Sequence, residues 1–258
     1  MVAASFNVNG VRARLQIVLD WLAAVQPDVL CLQETKVQDD DFPADPFAAA
    51  SYHVAFHGQK SYNGVAVLSK TPLEDVRAGF ASGAHAEQAR ILSARIGGVR
   101  VVNTYVPQGA EVGSEKFAYK LSWLAELEKE LAGLLGVDQQ VLWVGDINIA
   151  PDDRDVFDPD KYRGAVGFHP DEHEALRRLA ALGFEDVFRR HNQDGGEFTF
   201  WDYRLPGSLK RNLGWRIDHI MASEGPAARS RRCWIDRGPR ALDKPSDHTP
   251  ICAEFDPL

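Results

Sequence analysis

The chain has 258 residues and a formal net charge of −8, with 29 lysines and arginines against 37 aspartates and glutamates. Its length suffices for one large α/β domain or two small ones, and its 45% apolar and 26% charged fractions are those of a soluble globular protein. No apolar run approaches the roughly 20 residues of a bilayer-spanning helix, Met1 to Ser5 lacks the features of a secretory signal, and the acidic excess argues against a partner held by net charge alone.

In chain order, a strand is expected at residues 3–8, then a helix at 14–25 that Gln26-Pro27 ends. The run Val29-Leu30-Cys31-Leu32 predicts a strand at 28–33 that is covered on both faces and ends at Glu34. The Pro/Asp-rich piece 39–46 reads as a surface loop. Strands follow at 53–56, 64–69, 91–96 and 100–106, with Gly97-Gly98 as a tight hairpin between the last two. A long helix is expected at 115–135 with Ser114 as its N-cap, followed by a strand at 140–144 and a helix at 170–182 stopped by Gly183. The final strands are expected at 197–200, 216–222, 232–235 and 251–255. Cys31, Cys233 and Cys252 are odd in number and far apart in apolar stretches, which suggests buried free thiols and a reducing, intracellular compartment. No linker or composition break divides the chain, so a single domain over 1–258 is expected, built as an α/β sandwich.

Charge is unevenly placed. Arg204, Lys210, Arg211 and Arg216 fall in one stretch without acids, Arg12 and Arg14 form a second cluster, and Arg229, Arg231 and Arg232 a third. An acidic protein can therefore present a basic face around an acidic centre. An internal echo points to that centre: Val29 to Glu34 and Val141 to Asp146 are both apolar strands that deliver a carboxylate at the C-terminal end, where ligands bind in α/β sheets. Asn7 and Asn9, Asn148, Asp218 and the pair Asp247-His248 likewise interrupt or end apolar strands. Short, hard oxygen donors suit Mg²⁺, which keeps waters and takes one or two carboxylates, whereas zinc favours more His and Cys. A histidine beside one acid and oriented by another is a base for activating water. Singly, each of these residues is an ordinary turn or cap residue; their combination and order carry the specificity.

Ser5-Phe6-Asn7-Val8-Asn9-Gly10, Leu32-Gln33-Glu34-Thr35-Lys36 and Tyr105-Val106-Pro107-Gln108-Gly109 resemble successive signatures of the exonuclease III family of abasic-site endonucleases. So do Gly145-Asp146-Ile147-Asn148-Ile149-Ala150-Pro151, Gly214-Trp215-Arg216-Ile217-Asp218 and Lys244-Pro245-Ser246-Asp247-His248. The resemblance runs in family order from residue 5 to 250. It implies a four-layered α/β (α+β) sandwich, two mixed β-sheets packed face to face and flanked by helices. It also implies a metal site at Glu34 with Asn7, Asp146, Asn148, Asp247 and His248 around it, taking Mg²⁺ or alternatively Mn²⁺. Asp146 matches the residue that positions or deprotonates the attacking water, Asn148 the donor to the phosphate, and Tyr105 the active-site phenol. His248, oriented by Asp218, is the phosphate contact or the base, and the identity of the base stays open. Phe200, Trp215 and Ile217 match an apolar pocket for a flipped-out, base-free sugar, while Phe198 and Trp201 read as core. Asn9, Arg90, Gln108, Lys116, Lys210 and Arg211 are the remaining candidate DNA contacts. Lys36 follows the metal-site glutamate, where it contributes at most to the local electrostatics.

The implied activity is DNA repair: cleavage 5′ to abasic sites, with 3′→5′ exonuclease and 3′-end phosphatase activity in a balance the sequence leaves open. The implied partner is double-stranded DNA with abasic sites or 3′ ends, for a cytoplasmic, nucleoid-associated monomer that has no membrane contact. A phospholipid or inositol-phosphate phosphoesterase of the same superfamily is the alternative, since the polar residues alone do not exclude it. The acidic segment around Glu111, where some relatives place a basic duplex-inserting residue, puts the grip on DNA in question.

Overall fold

The computed structural model describes residues 1–257. Twelve strands form two six-stranded sheets. The first has the order β11-β12-β1-β2-β4-β3, with β1 (Val2–Asn7), β2 (Val29–Gln33), β3 (His53–His57), β4 (Val65–Ser69), β11 (Ser230–Ile235) and β12 (Ile251–Phe255). The second has the order β5-β6-β7-β8-β10-β9, with β5 (Glu74–Ala78), β6 (Ile91–Ile96), β7 (Val99–Tyr105), β8 (Val141–Asp146), β9 (Glu185–Asp186) and β10 (Asp218–Ala222). The helices are α1 (Leu15–Val25), α2 (Ala44–Ala49), α3 (Glu115–Leu135), α4 (Pro159–Tyr162), α5 (Pro170–Ala181), α6 (Val187–His191) and α7 (Glu224–Ala228).

Both sheets are mixed in the same way. In each, one parallel pair, β1–β2 or β7–β8, is flanked by antiparallel neighbours. A parallel pair needs a crossover, and α1 and α3 supply it. Residues such as Cys31, Val67, Leu92, Val101, Leu142 and Ile251 fill the space between the sheets. On the outer face of the first sheet, Val18, Trp21 and Leu22 of α1 pack on Phe6, Leu30 and Leu68. On the outer face of the second, Trp123, Leu124, Leu127 and Leu131 of α3 pack with Val102 and Trp143. The result is the four-layered arrangement expected. Truncating one of these fully buried leucines to alanine would cost about 2–5 kcal/mol.

The inner layer is stitched by polar contacts as well as apolar ones. Asn103 of β7 donates to the carbonyls of Leu32 and Ala66 in the opposite sheet, and accepts from Gln33 at 2.7 Å. These buried groups are satisfied only in one register of sheet on sheet, so they fix how the two strand ends meet.

Helix ends and most strands fall within a residue or two of expectation. Gln26 adopts φ 52 at the end of α1, Ser114 Oγ accepts from Phe117 N–H, and Gly97 and Gly98 take φ 56 and 88 in the hairpin. The three cysteines are buried and free. Several expectations need correction. Segment 39–46 is not a plain loop: it holds a turn of 3₁₀ helix at Asp39–Asp41 and opens α2, whose Phe47 is fully buried. Residues 197–200 form no strand, only single bridges from Phe200 to Trp215 and His248. The strand expected from 216 starts at Asp218. Strand β5 lies exposed along its length at the sheet edge, so it lacks the apolar pattern by which strands are read.

The supposed basic face is also smaller than its sequence suggests. Arg216 is fully buried and paired with Asp155 and Asp186. Arg204 pairs with Asp202, Arg231 with Asp256, and Arg232 with Glu254. Among the described residues, no helix is long and apolar enough to cross a membrane.

Candidate active site

The C-terminal ends of β1, β2, β7 and β8 converge at one end of the sandwich. Asn7 closes β1, and its amide nitrogen donates to Glu34 Oε1 and to Asp146 Oδ2, both at 2.8 Å. One buried side chain thus ties the carboxylate following β2 to the one ending β8, across the two sheets. Its oxygen accepts the N–H of Asn9, so Asn7 holds the carboxylates and does not turn an oxygen toward them as a metal ligand would. Glu34, Lys36, Asn9 and Asn148 all take left-handed backbone with φ of 51, 55, 47 and 54. For Glu and Lys that conformation is strained, and such strain collects where side chains must be aimed.

Asp146 pairs across the sheet with Asp218, and Asp218 Oδ2 lies 2.8 Å from His248 Nδ1. This contact fixes the ring so that Nε2 faces Asp146 Oδ2 at 3.8 Å. Thr199 Oγ1 accepts the backbone N–H groups of both Ile217 and Asp218 at 3.1 Å, which pins the segment carrying Asp218. Asn148 N–H donates to Asp146 Oδ1 at 2.9 Å. Lys36 Nζ bridges Glu34 Oε2 at 2.8 Å and Asn9 Oδ1 at 2.5 Å, and Asn9 in turn donates to Asp247 Oδ1 at 2.9 Å.

Crowding of charge sets the protonation of this cluster. Burial raises the pKa of Asp146, and the Asp218 and Glu34 carboxylates add to the rise against the pull of His248 and Asn7. Burial opposes the charge of His248, but Asp218 and Asp146 outweigh it and raise the imidazole above its ordinary value. Glu34 is desolvated, yet Lys36, Asn7 and His248 hold its carboxyl below the usual range. Burial, with Glu34 and Asp146 nearby, drives the Tyr105 phenol well above its ordinary value, so it stays a proton donor at neutral pH.

Glu34, Asp146 and His248 each offer a ligand atom, and these atoms lie within 4.8 Å of one another. Two carboxylates and an imidazole, with Asp247 and the Asn148 amide bordering the same space, fit a divalent cation that keeps open positions. The group opens into a cavity of about 530 Å³ that Tyr105, Gln108, Asn148 and Asp247 also line. Its other wall is apolar: Phe200, Trp215 and Ile217, with Leu205, Leu213 and Tyr162. Phe200 joins the two walls, exchanging backbone hydrogen bonds with Trp215 and setting its ring 4.9 Å from the imidazole of His248. Phe198 and Trp201 are core, at 2% and 0% exposure.

The remaining candidates are dispersed. Arg90 stacks over the Tyr105 ring at 4.6 Å and donates to the Tyr105 carbonyl at 3.0 Å, so its guanidinium is engaged inside the protein and supports the phenol. Asn9 is engaged with Asp247 and Lys36. Lys116, Lys210 and Arg211 are exposed and line no part of the cavity. Lys36, expected from the sequence to add at most to the local electrostatics, is paired with Glu34 and Asn9. Lys120, Glu172 and Thr199 passed unnoticed. Lys120 had a signal: it interrupts the apolar stripe Phe117, Leu124, Leu127 on α3.

The model of the Endonuclease/Exonuclease/phosphatase family matches residues 4–248. Exodeoxyribonuclease III of Haemophilus influenzae is 39% identical over 97% of this chain and 98% of its own length. An AP endonuclease from Archaeoglobus fulgidus superposes with a TM-score of 0.95 and 45% identity, covering 99% of both chains. A 3′ phosphatase, NExo from Neisseria, bound to a product DNA hairpin, superposes with a TM-score of 0.97 at 38% identity, again covering 99% of each chain.

Proposed function

The chain belongs to the endonuclease/exonuclease/phosphatase family, in its exonuclease III and AP endonuclease branch, and from that premise we propose that it hydrolyses the DNA backbone 5′ to abasic sites. Work on 3′ ends, as exonuclease and phosphatase, belongs to the same reading, supported by the likeness to the Neisseria 3′ phosphatase and to exodeoxyribonuclease III. One observation carries it: the acidic cluster of Glu34, Asp146 and His248 shares a single cavity with an apolar wall of Phe200, Trp215 and Ile217. The first suits a scissile phosphate, and the second a sugar that has lost its base. A wall suited only to a phosphorylated polar headgroup, as in a lipid or inositol-phosphate hydrolase, would not need that aromatic surface.

In this mechanism Asp146 accepts a proton from water, whose oxygen bonds to phosphorus while the bond to the 3′ oxygen breaks. The products are a 3′ hydroxyl, protonated from solvent, and a 5′-phosphorylated base-free sugar. Burial and neighbouring acids make Asp146 a stronger base than a free carboxylate, which suits general-base work near neutral pH. Asn148 and His248 donate to the non-bridging oxygens, where negative charge grows in the transition state. Asp218 keeps His248 charged and aimed, and Tyr105 adds its phenolic hydrogen bond. Mg²⁺, or Mn²⁺, would be held by Glu34 with Asp146, Asn148 and Asp247 around it, His248 being left as the charged donor, and would supply Lewis acidity at the phosphate. Flipping a nucleotide costs a few kcal/mol and least where no base pair exists, so a pocket closed by Trp215 selects the lesion.

The test uses a labelled duplex with a central abasic analogue and a matched intact duplex, each with Mg²⁺ and with EDTA. The expected result is one metal-dependent cut 5′ to the lesion, with the intact duplex spared. A ladder from the 3′ end of both would assign the main activity to exonuclease. No cleavage of either would refute the DNA reading in favour of phospholipid or inositol phosphate.

A further inference from the structure

A buried ion pair beneath the cavity has no part in the chemistry above. Lys120 of α3 and Glu172 of α5 are both fully buried, with Nζ 2.5 Å from Oε1. Such pairs contribute little net stability, because desolvation offsets the attraction and apolar replacements often serve as well. The stripe in which Lys120 sits would pack α3 without a charge. What the pair holds is therefore more informative than what it stabilises.

Lys120 Nζ also donates to the carbonyl of Asn148 at 2.8 Å and to that of Gln108 at 3.2 Å. Both of these hydrogen bonds fall on backbone next to the cavity. Glu172 Oε2 accepts the N–H of Gly167 at 2.7 Å and of His169 at 3.0 Å. Gly167 has φ 85, and a Cβ there would lie 3.4 Å from both the Trp215 ring and the Asn148 carbonyl oxygen. Its own carbonyl accepts from Ala150 N–H at 2.8 Å. Two charged atoms thus reach Asn148 from one side and, through Gly167, the indole face of Trp215 from the other.

We infer that the Lys120–Glu172 pair is a positioning device that sets the phosphate donor Asn148 in register with the sugar-pocket wall at Trp215. It rests on the function proposed above and adds residues that touch neither metal nor DNA. Through it, turnover and lesion selectivity share one mechanical cause. An error of about an ångström at either group would slow the reaction by up to about 10²-fold.

The double variant Lys120→Met/Glu172→Leu removes both charges at once, so neither is left buried and alone. Cooperative melting should be retained, and binding of the abasic duplex in EDTA should change by less than about threefold. Turnover at saturating abasic DNA should fall roughly tenfold to hundredfold, and the preference for abasic over intact duplex should narrow. A folded double variant that turns over within about threefold of wild type, with selectivity unchanged, overturns the inference. If the double variant does not melt cooperatively, Glu172→Asp takes its place. It keeps the charge pair but withdraws the carboxylate from Gly167, and a wild-type rate there overturns the inference equally. The wild-type control separates the two levels: a wild type that cuts no DNA refutes the function, whereas an active wild type beside an equally active variant refutes only the positioning.

Discussion

Replacing Trp215 with alanine separates a pocket wall from a piece of core. The indole is half-buried, edge-on to Tyr162 at 5.0 Å and to Phe168 at 6.4 Å, with its other side lining the cavity. A fully buried tryptophan truncated to alanine costs about 3–5 kcal/mol, and with one face in the cavity about half that applies, near 2 kcal/mol. For a chain of this size that lowers Tm by about 4–8 °C and leaves the protein folded at 25 °C. The effect on cleavage should be larger. An apolar contact with the extruded sugar is worth about 1–3 kcal/mol, so kcat/KM on the abasic duplex should fall by about 10- to 200-fold. Cutting of the intact duplex should change less, because the pocket acts only on a sugar without its base. Thermal melts and steady-state cleavage of both duplexes at 25 °C measure the two quantities independently. If kcat/KM falls only as far as the folded fraction falls, or equally on both duplexes, Trp215 is core and the pocket assignment fails.

Asp146→Asn should lower turnover at saturating DNA by about 10²–10⁴-fold with little change in binding, and a loss below about tenfold would remove Asp146 as the proton acceptor. EDTA should abolish cleavage, with Mg²⁺ or Mn²⁺ restoring it to wild type but not to Glu34→Gln; full restoration in that variant would exclude Glu34 as the principal ligand. Asp186 gives a stability prediction. Burial works against its charge, but Arg216 and His219 hold its carboxyl well below the usual range. A depressed carboxyl stabilises the fold above its unfolded pKa of about 3.9 and loses that contribution as pH falls further. The Tm deficit of Asp186→Asn should therefore be full at pH 7 and shrink below about pH 4; a deficit constant down to pH 3 would refute the ion pair as its source.

The parts of the candidate site legible in the sequence are polar residues set against apolar strands. Glu34 and Asp146 stand out because a carboxylate directly follows or ends a strand that is otherwise wholly apolar, and both lie at the same end of the sandwich. Asp218 and His248 are read from polar groups that end or precede buried strands, and they meet at 2.8 Å. What stayed hidden depends on contacts between residues far apart in the chain. Arg216 is indistinguishable in sequence from the exposed Arg211, because its burial is decided by Asp155 and Asp186, tens of residues away. Lys36 reads only as a charge beside Glu34 until Asn9, 27 residues away, is brought to its Nζ. The exposed strand β5 has no buried side to leave a pattern, so only its pairing with β6 defines it.

The site lies where it does because the two sheets repeat one local plan. In each, a strand, a crossover helix and a parallel strand bring two C-terminal strand ends side by side: β1 beside β2, and β7 beside β8. The first pair presents Asn7 and Glu34, the second Tyr105 and Asp146. Packing the sheets face to face sets those ends together, and Asn7 closes the gap by holding a carboxylate from each. Glu34, Asp146 and Asp218 brought this close would repel one another, and the fold answers with cations and amide donors: Lys36 on Glu34, His248 between Asp218 and Asp146, and Asn7 between Glu34 and Asp146. The same crowding that raises Asp146 toward a proton-accepting range also makes a divalent cation welcome. Base strength and metal affinity therefore have one origin in the topology, and substitutions that relieve the crowding should weaken both together.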